Sequence, residues 1–391
     1  MKPRVLTGIE NFADNPPGYL EGKKLGLLCN GASLNSEFIH TSHIIQRLFP
    51  GRLKALFSPQ HGFYADKQDN MKESSHTRDV KLNIPVFSLY SKTRIPTKEM
   101  FDPIDCLLID LQDVGCRVYT FIYTISFCLE KAAEYGKKVI VLDRPNPIGG
   151  LNIEGNILEE RYRSFVGRFP IPMRHGMTVG EITSFFNQVG DINCDLEIIP
   201  MKGWKRNMYY SDTGLAWVLP SPNLPTPEAC IVYPGQVIFE GTNISEGRGT
   251  TRPFEQFGAP FIDNDKIADN VSKKIQGARI RPVVFEPVAG KWKNMPCRGF
   301  YIHVYNNRIY KPYKSSLIFF QEILKLHSRD FNYKPPPYEY EYNRLPMDLI
   351  LGSRQLREKI ENMENLDRIE QSWQKDLSFF NNISKRFYLY E

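Results

Sequence analysis

The chain has 391 residues, 41% of them hydrophobic and 24% charged, with a formal net charge of +6. That length exceeds one typical core and points to two domains, the composition excludes a disordered chain, and the mild, dispersed positive charge speaks against a nucleic-acid partner. No apolar run reaches the ~18–20 residues a membrane helix needs, so no membrane insertion is expected.

In chain order, the first segment, MKPRVLTGIENFADNPP, lacks the apolar core of a secretory signal. It reads as a cytoplasmic protein, with an exported protein whose leader is removed as the alternative. Short apolar runs then alternate with amphipathic stretches, the pattern of a parallel sheet with crossover helices. Strands are expected at 24–30, 53–58, 84–90, 105–112, 137–143 and 195–201, with helices at 41–48, 121–135 and 178–189. The last helix opens with Thr178 three residues before Glu181, a capping-box spacing. Residues 202–260 are rich in Pro, Gly, Trp and Tyr and read as long loops over the active edge of the sheet. From about 260 the texture changes to a helix at 263–275, strands at 279–285 and 299–305, a helix at 314–328 and charged helices beyond 351. This predicts an α/β protein with a larger domain over 1–260 and a smaller α/β domain over 261–391 that closes a cleft. PPPYEYEY at 335–342 reads as an extended connection or a surface loop. The seven cysteines include no C-x-x-C pair and several lie in apolar runs, which predicts buried reduced thiols and neither a disulfide framework nor a zinc site.

Ligand sites in open parallel sheets lie beyond the carboxyl ends of the strands. Polar residues with Gly or Pro turns stand at three such ends: Pro59-Gln60-His61-Gly62, Gln112-Asp113-Val114-Gly115 and Asp143-Arg144-Pro145-Asn146. His61 and His175 suit a base, a hydrogen bonder or a ligand, and equally a structural role; Asp143 suits either a ligand contact or a turn. Trp204, Tyr209, Tyr210 and Trp217 offer faces for stacking on sugar rings, or seals for a core. The stretch Phe239–Glu255, FEGTNISEGRGTTRPFE, holds three carboxylates, two arginines, four hydroxyls and three glycines in seventeen residues. Glycines admit close backbone approach, arginines grip carboxylate or phosphate, and glutamates supply acid, base or hydroxyl-binding groups. With Asn223 and Asn243 added, this is a carbohydrate-site inventory, for which hydrolysis between carboxylates is the natural chemistry. There is no G-x-G-x-x-G after the first strand, no Walker motif, no G-x-S-x-G and no H-E-x-x-H, so neither an organic cofactor nor a catalytic metal is expected.

At these residues the chain resembles the NamZ (YbbC) family of bacterial exo-β-N-acetylmuramidases, formerly a domain of unknown function. The likeness runs from about Gly8 to Tyr390 through LFSPQHG (56–62), IDLQDVGCRVYTFIYT (109–124), VLDRPNPIGG (141–150), SFVGRFPIPMRHGMTVGE (164–181) and VIFEGTNISEGRGTTRPFEQFGAPFID (237–263). The resemblance implies a Rossmann-like domain and a smaller one with the active site between them, and release of N-acetylmuramic acid from the non-reducing end of peptidoglycan fragments. A small carbohydrate or muropeptide is the implied partner; the oligomeric state is left open. Asp113, Arg117, Asp143, Arg144 and His175 match the family pattern. One position departs from it: the family's proposed catalytic glutamate lies in Pro-Glu-His-Gly, where this chain has Gln60. An amide cannot exchange a proton near neutral pH. Either another carboxylate acts, with Asp66, Glu73, Asp113, Glu240 and Glu246 as candidates, or substrate or mechanism is altered, or the protein binds muramyl sugars without cleaving them. His61, Glu240, Glu246, Asp113 and Glu73 are the expected catalytic set. Gln60, Arg117, Asp143, Arg144, Asn146, His175, Asn223, Asn243, Arg248 and Arg252 are the expected binding set, with Arg248 or Arg252 on the acid group.

Overall fold

The computed structural model describes residues 5–67 and 71–391, so residues 68–70 of the segment after His61 lie outside the described residues. In chain order the strands are β1 (Leu25–Cys29), β2 (Leu53–Ser58), β3 (Thr77–Asp79), β4 (Ile84–Ser88), β5 (Cys106–Asp110), β6 (Lys138–Leu142), β7 (Glu154–Ile157), β8 (Pro172–Arg174), β9 (Leu196–Ile199), β10 (Gln256–Ala259), β11 (Ala278–Phe285) and β12 (Cys297–Val304). Seven of them form one sheet in the order β3-β4-β2-β1-β5-β6-β9. Every pairing in it is parallel except that of β3 with β4. The parallel strands thus follow the spatial order of doubly wound nucleotide-binding sheets, with the connection reversing direction between β1 and β5. The expected α/β class with a mostly parallel sheet is what the chain forms, and all six expected strands are present.

The central strands read as unbroken apolar runs because both of their faces are covered. Successive side chains on a strand point to opposite faces, and here they feed two different cores. Leu107, Ile109, Val139 and Val141 pack beneath the helix Phe121–Glu134, through Phe121, Ile125 and Leu129. Cys106, Leu108, Ile140 and Leu142 pack against Ile9, Phe12, Ile44 and Ile45 of the helices Gly8–Asp14 and Thr41–Leu48. The capping box at Thr178 is formed: its Oγ1 accepts from Glu181 N at 3.3 Å, and Glu181 Oε2 accepts from Thr178 N at 3.0 Å.

A separate antiparallel sheet, β10-β12-β11, lies under the helix Pro312–His327, where the rings of Phe257, Phe300 and Phe319 meet tilted or edge-on. Its first strand, β10, precedes the 260/261 boundary expected from composition. Residues 202–260 are not all loop. A helix spans Pro227–Gln236 and a 3-10 turn spans Val237–Gly241. Both are buried on nearly all sides, so no polar face was there to give a helical period, and Pro234 and Gly235 broke what remained. The aromatics of this region act as seals. Trp204 is buried edge-on against Tyr390, and Trp217 meets Tyr210 edge-on. All seven cysteines are buried and unpaired.

Arg117, expected at the substrate, is instead fully buried as a clamp between distant segments. Its Nη1 donates to the carbonyls of Asn156 and Ile171 at 2.7 and 3.0 Å, and its Nη2 to those of Ile350 and Leu351 at 3.2 and 2.9 Å. Among the described residues it forms no ion pair. Burial therefore pulls its pKa below the usual guanidinium value. Arg117→Met would leave these carbonyls without their donor in a dry setting and should cost about 3–5 kcal/mol in denaturant unfolding. A loss under about 1 kcal/mol would show that the clamp does not hold the segments together.

Candidate active site

Six stretches of chain converge on one cavity: the turn after β2, the segment leading into Phe121–Glu134, Val166, residues 221–224, the run from Tyr233 to Phe254, and Tyr338 with Glu339. Its polar lining includes Gln60, His61, Thr120, Ser221, Asn223, Glu240, Arg248 and Glu339, framed by Tyr119, Tyr233, Phe254 and Tyr338. Nearly all of these residues are buried, so the cavity is confined.

The turn after β2 places His61 at φ +71°, a conformation a non-glycine residue adopts only when its surroundings impose it. His61 Nδ1 lies 2.6 Å from the carbonyl of Lys67, which can only accept, so Nδ1 carries the proton and Nε2 is left as an acceptor. Burial pushes the imidazole pKa down to about 4, with Arg248 adding to the effect, and the ring is neutral at physiological pH.

Two glutamates in this cavity have opposite electrostatic surroundings. Glu240 is desolvated, which alone would favour the protonated form, but Arg248 Nη2 at 2.6 Å and Tyr338 Oη at 2.7 Å outweigh this and hold its pKa below the ordinary value. Arg248 also pairs through Nε with Glu246 Oε1 at 3.0 Å, and Glu246 Oε2 meets Lys291 Nζ at 2.8 Å. The four charges cancel in a continuous buried chain. Glu339 contacts Gln60 Nε2 at 3.1 Å through Oε1 and Tyr90 Oη at 2.6 Å through Oε2. Its pKa is pushed up to about 7 by burial, reinforced by the negative charge of Glu240. The expectation of a surface loop at 335–342 is thus corrected: Tyr338 and Glu339 are buried, and they face the cavity because the segment runs inward.

Of the expected residues, Gln60, His61, Asn223, Glu240 and Arg248 meet here. Glu246 supports Arg248 from behind and lines, with Asn243, Lys291 and Trp292, an adjoining open groove that shares Glu240 and Arg248. Arg252 is 49% exposed and pairs with Glu255 outside the cavity. Glu73 is exposed and is not part of the lining. The remaining expected residues are held in the protein's own hydrogen bonds. Asp113 Oδ2 accepts from Gly115 N at 2.7 Å and lies 3.3 Å from His175 Nε2. Asp143 accepts from Thr178 Oγ1, Gly180 N and Tyr390 Oη at the start of a helix. Arg144 forms a buried bidentate pair with Asp110, and Asn146 bridges Met177 O and Ile148 N. Gly247 and Gly249, at φ +78° and +77°, let the chain approach itself; a Cβ on either would lie 2.4 Å from the carbonyl of Gln256 or Ala289.

Tyr90, Tyr119, Thr120, Tyr338 and Glu339 were missed at the level of sequence. The alternation of aromatics and glutamates in Pro-Pro-Pro-Tyr-Glu-Tyr-Glu, residues 335–341, is the one sequence feature that marks Tyr338 and Glu339. Among the described residues no group of three or more His, Cys, Asp or Glu side chains is placed to hold a metal ion.

Two family models cover the chain: the N-terminal part of exo-β-N-acetylmuramidase NamZ matches residues 25–228, and its C-terminal part matches residues 231–390. A curated relative, the peptidoglycan β-N-acetylmuramidase NamZ of Bacillus subtilis, is 41% identical over 390 residues, spanning 100% of this chain and 92% of that protein. Two crystal structures of DUF1343-family proteins from Bacteroides fragilis share the fold. One superposes with a TM-score of 0.90 at 35% identity over 99% of each chain, the other with 0.77 at 28% identity over 100% of this chain and 99% of that one. Full-length coverage by both family models and by a relative of this similarity makes the chain a member of the NamZ exo-β-N-acetylmuramidase family.

Proposed function

We propose that the protein is a glycoside hydrolase that releases N-acetylmuramic acid from the non-reducing end of peptidoglycan fragments, in the cavity between Gln60 and Arg248. The observation that carries this reading is the meeting of two buried glutamates, one ion-paired to Arg248 and one held by the neutral Gln60 and Tyr90, in a confined cavity framed by tyrosines. Paired carboxyl groups with divergent environments are what glycoside hydrolysis requires. Tyrosine and phenylalanine faces suit a sugar ring, and His61 Nε2 with Asn223 supplies partners for hydroxyl and acetamido groups.

Arg248 is the cation among the lining residues, and in this reading the lactyl carboxylate of the muramyl unit lies against it. Glu240 and Glu246 already draw on the same guanidinium. The acid group then shares Arg248, which favours a planar fork over a point charge. A second reading, a muramyl-sugar binder without turnover, is favoured by Gln60, an amide where the family motif has a carboxyl.

Hydrolysis of a chromogenic β-N-acetylmuramide beside the matching β-N-acetylglucosaminide separates the two readings: the hydrolase cleaves the muramide well and the glucosaminide poorly. Binding without turnover of either selects the binder. Arg248→Lys should raise KM for the muramide at least ~10-fold more than for the glucosaminide, while Arg252→Lys leaves both unchanged; equal losses for the two sugars would remove Arg248 from the acid group. Glu240→Gln should lower kcat ~10²–10⁴-fold with substrate binding retained, and an unchanged kcat would take Glu240 out of the mechanism.

A further inference from the structure

Among the described residues no cation neutralises the buried Glu339 carboxyl at contact distance; Gln60 and Tyr90 hold it instead. We infer that Glu339 is the proton donor to the glycosidic oxygen, oriented by Gln60 and Tyr90. This rests on the hydrolase reading given above.

The geometry makes the assignment. Glu339 is 4% exposed and lines the cavity that Glu240 also lines. The Gln60 side chain is fixed at both ends: Oε1 accepts from Thr120 Oγ1 at 2.5 Å, and Nε2 donates to Glu339 Oε1 at 3.1 Å and to Tyr90 Oη at 3.2 Å. Tyr90 Oη also accepts from Met71 N at 2.9 Å, which anchors the other side of the carboxyl group. An amide suits this place because it both accepts from Thr120 and donates toward a carboxyl, which a carboxylate cannot do. Gln60 therefore reads as a positioning residue.

The charged and titratable groups facing Glu339 account for its proton. Glu240 repels a second negative charge, Tyr90, Tyr338 and Tyr340 are neutral phenols, and Arg94 acts from a distance, stacked over the Tyr340 ring at 3.7 Å from its centroid. Burial and Glu240 prevail, and the carboxyl holds its proton up to about pH 7. Glu240, pinned by Arg248, stays ionised over the same range. Environments that push two carboxyl groups apart in this way assign the acid and its anionic partner.

In the reaction, the bond from the anomeric carbon to the glycosidic oxygen breaks with its electron pair going to that oxygen, which takes the proton of Glu339. Water adds its hydroxyl to the anomeric carbon, and its remaining proton restores the Glu339 carboxyl. Activity that needs protonated Glu339 falls as pH rises through about 7.

The test compares muramides with a poor and a strongly activated leaving group, such as an alkyl and a 2,4-dinitrophenyl aglycone. Glu339→Gln, which is isosteric, should lower kcat ~10²–10⁴-fold on the poor leaving group and less than ~10-fold on the activated one, and should abolish the fall above neutrality. Equal losses on both, or a persisting basic limb, would overturn the assignment. Should Glu339→Gln fail to fold, Gln60→Glu serves instead: a second carboxyl at hydrogen-bond distance must share a proton with Glu339 and move the basic limb upward, and an unmoved limb refutes the proposal. Infrared difference spectra give a readout free of turnover. A protonated-carboxyl band just below neutral pH, lost in Glu339→Gln, is expected, and its absence from the unaltered protein overturns the assignment. No hydrolysis of any muramide by the unaltered protein would sink the hydrolase reading separately.

Discussion

A buried guanidinium ties the segment after β5 to the C-terminal part of the chain. Arg117 follows β5, and its four hydrogen bonds go to carbonyls on the β7–β8 hairpin and on the end of the helix Pro346–Leu351. Carbonyl dipoles replace the water that the cation gave up, which is tolerable only when every one of them is aimed at it. The next residues in the chain, Val118, Tyr119 and Thr120, line the cavity, and the segment bearing Tyr338 and Glu339 ends just before the clamped helix. The same contact thus lies between the two stretches that bring Thr120 and Glu339 to the site.

Electrostatics inside the cavity follow from that placement. Arg248 and Lys291 neutralise Glu240 and Glu246 in one chain of contacts, leaving the C-terminal segment to bring in a carboxyl with no such partner at hand. Charge pairing and desolvation act on chemically identical side chains in opposite senses, and the low local dielectric enlarges the difference. Gln60 belongs to this arrangement as the amide that spans Thr120 and Glu339.

In the crevice between β1 and β5, where the sheet order reverses, the protein's own polar groups are engaged with one another. Asp110, Arg144, Thr41 and Ser33 bond to one another or to adjacent backbone there, and Asn30 reaches Pro220 O at 2.9 Å. The cavity opens instead off the end of β2. Polar residues at three strand ends looked alike in sequence, yet two of the three sets serve folding.

The sheet and its strands are legible in the amino-acid sequence, because continuous apolar runs between amphipathic segments have few other ways to bury both faces. The family is legible there too, through long matching blocks, and composition and position at a strand end mark Glu240, Arg248, His61 and Gln60. Which polar residues face the cavity is settled by long-range packing. Arg117, Asp143, Arg144 and Asn146 carry the residue types of a binding site but are consumed by internal hydrogen bonds, and a one-dimensional pattern does not say whether a side chain's partner is the protein or a ligand. Glu339 lies far along the chain from Gln60. Its proximity to that amide, and the burial that keeps its proton, come from long-range packing that no local window of sequence contains.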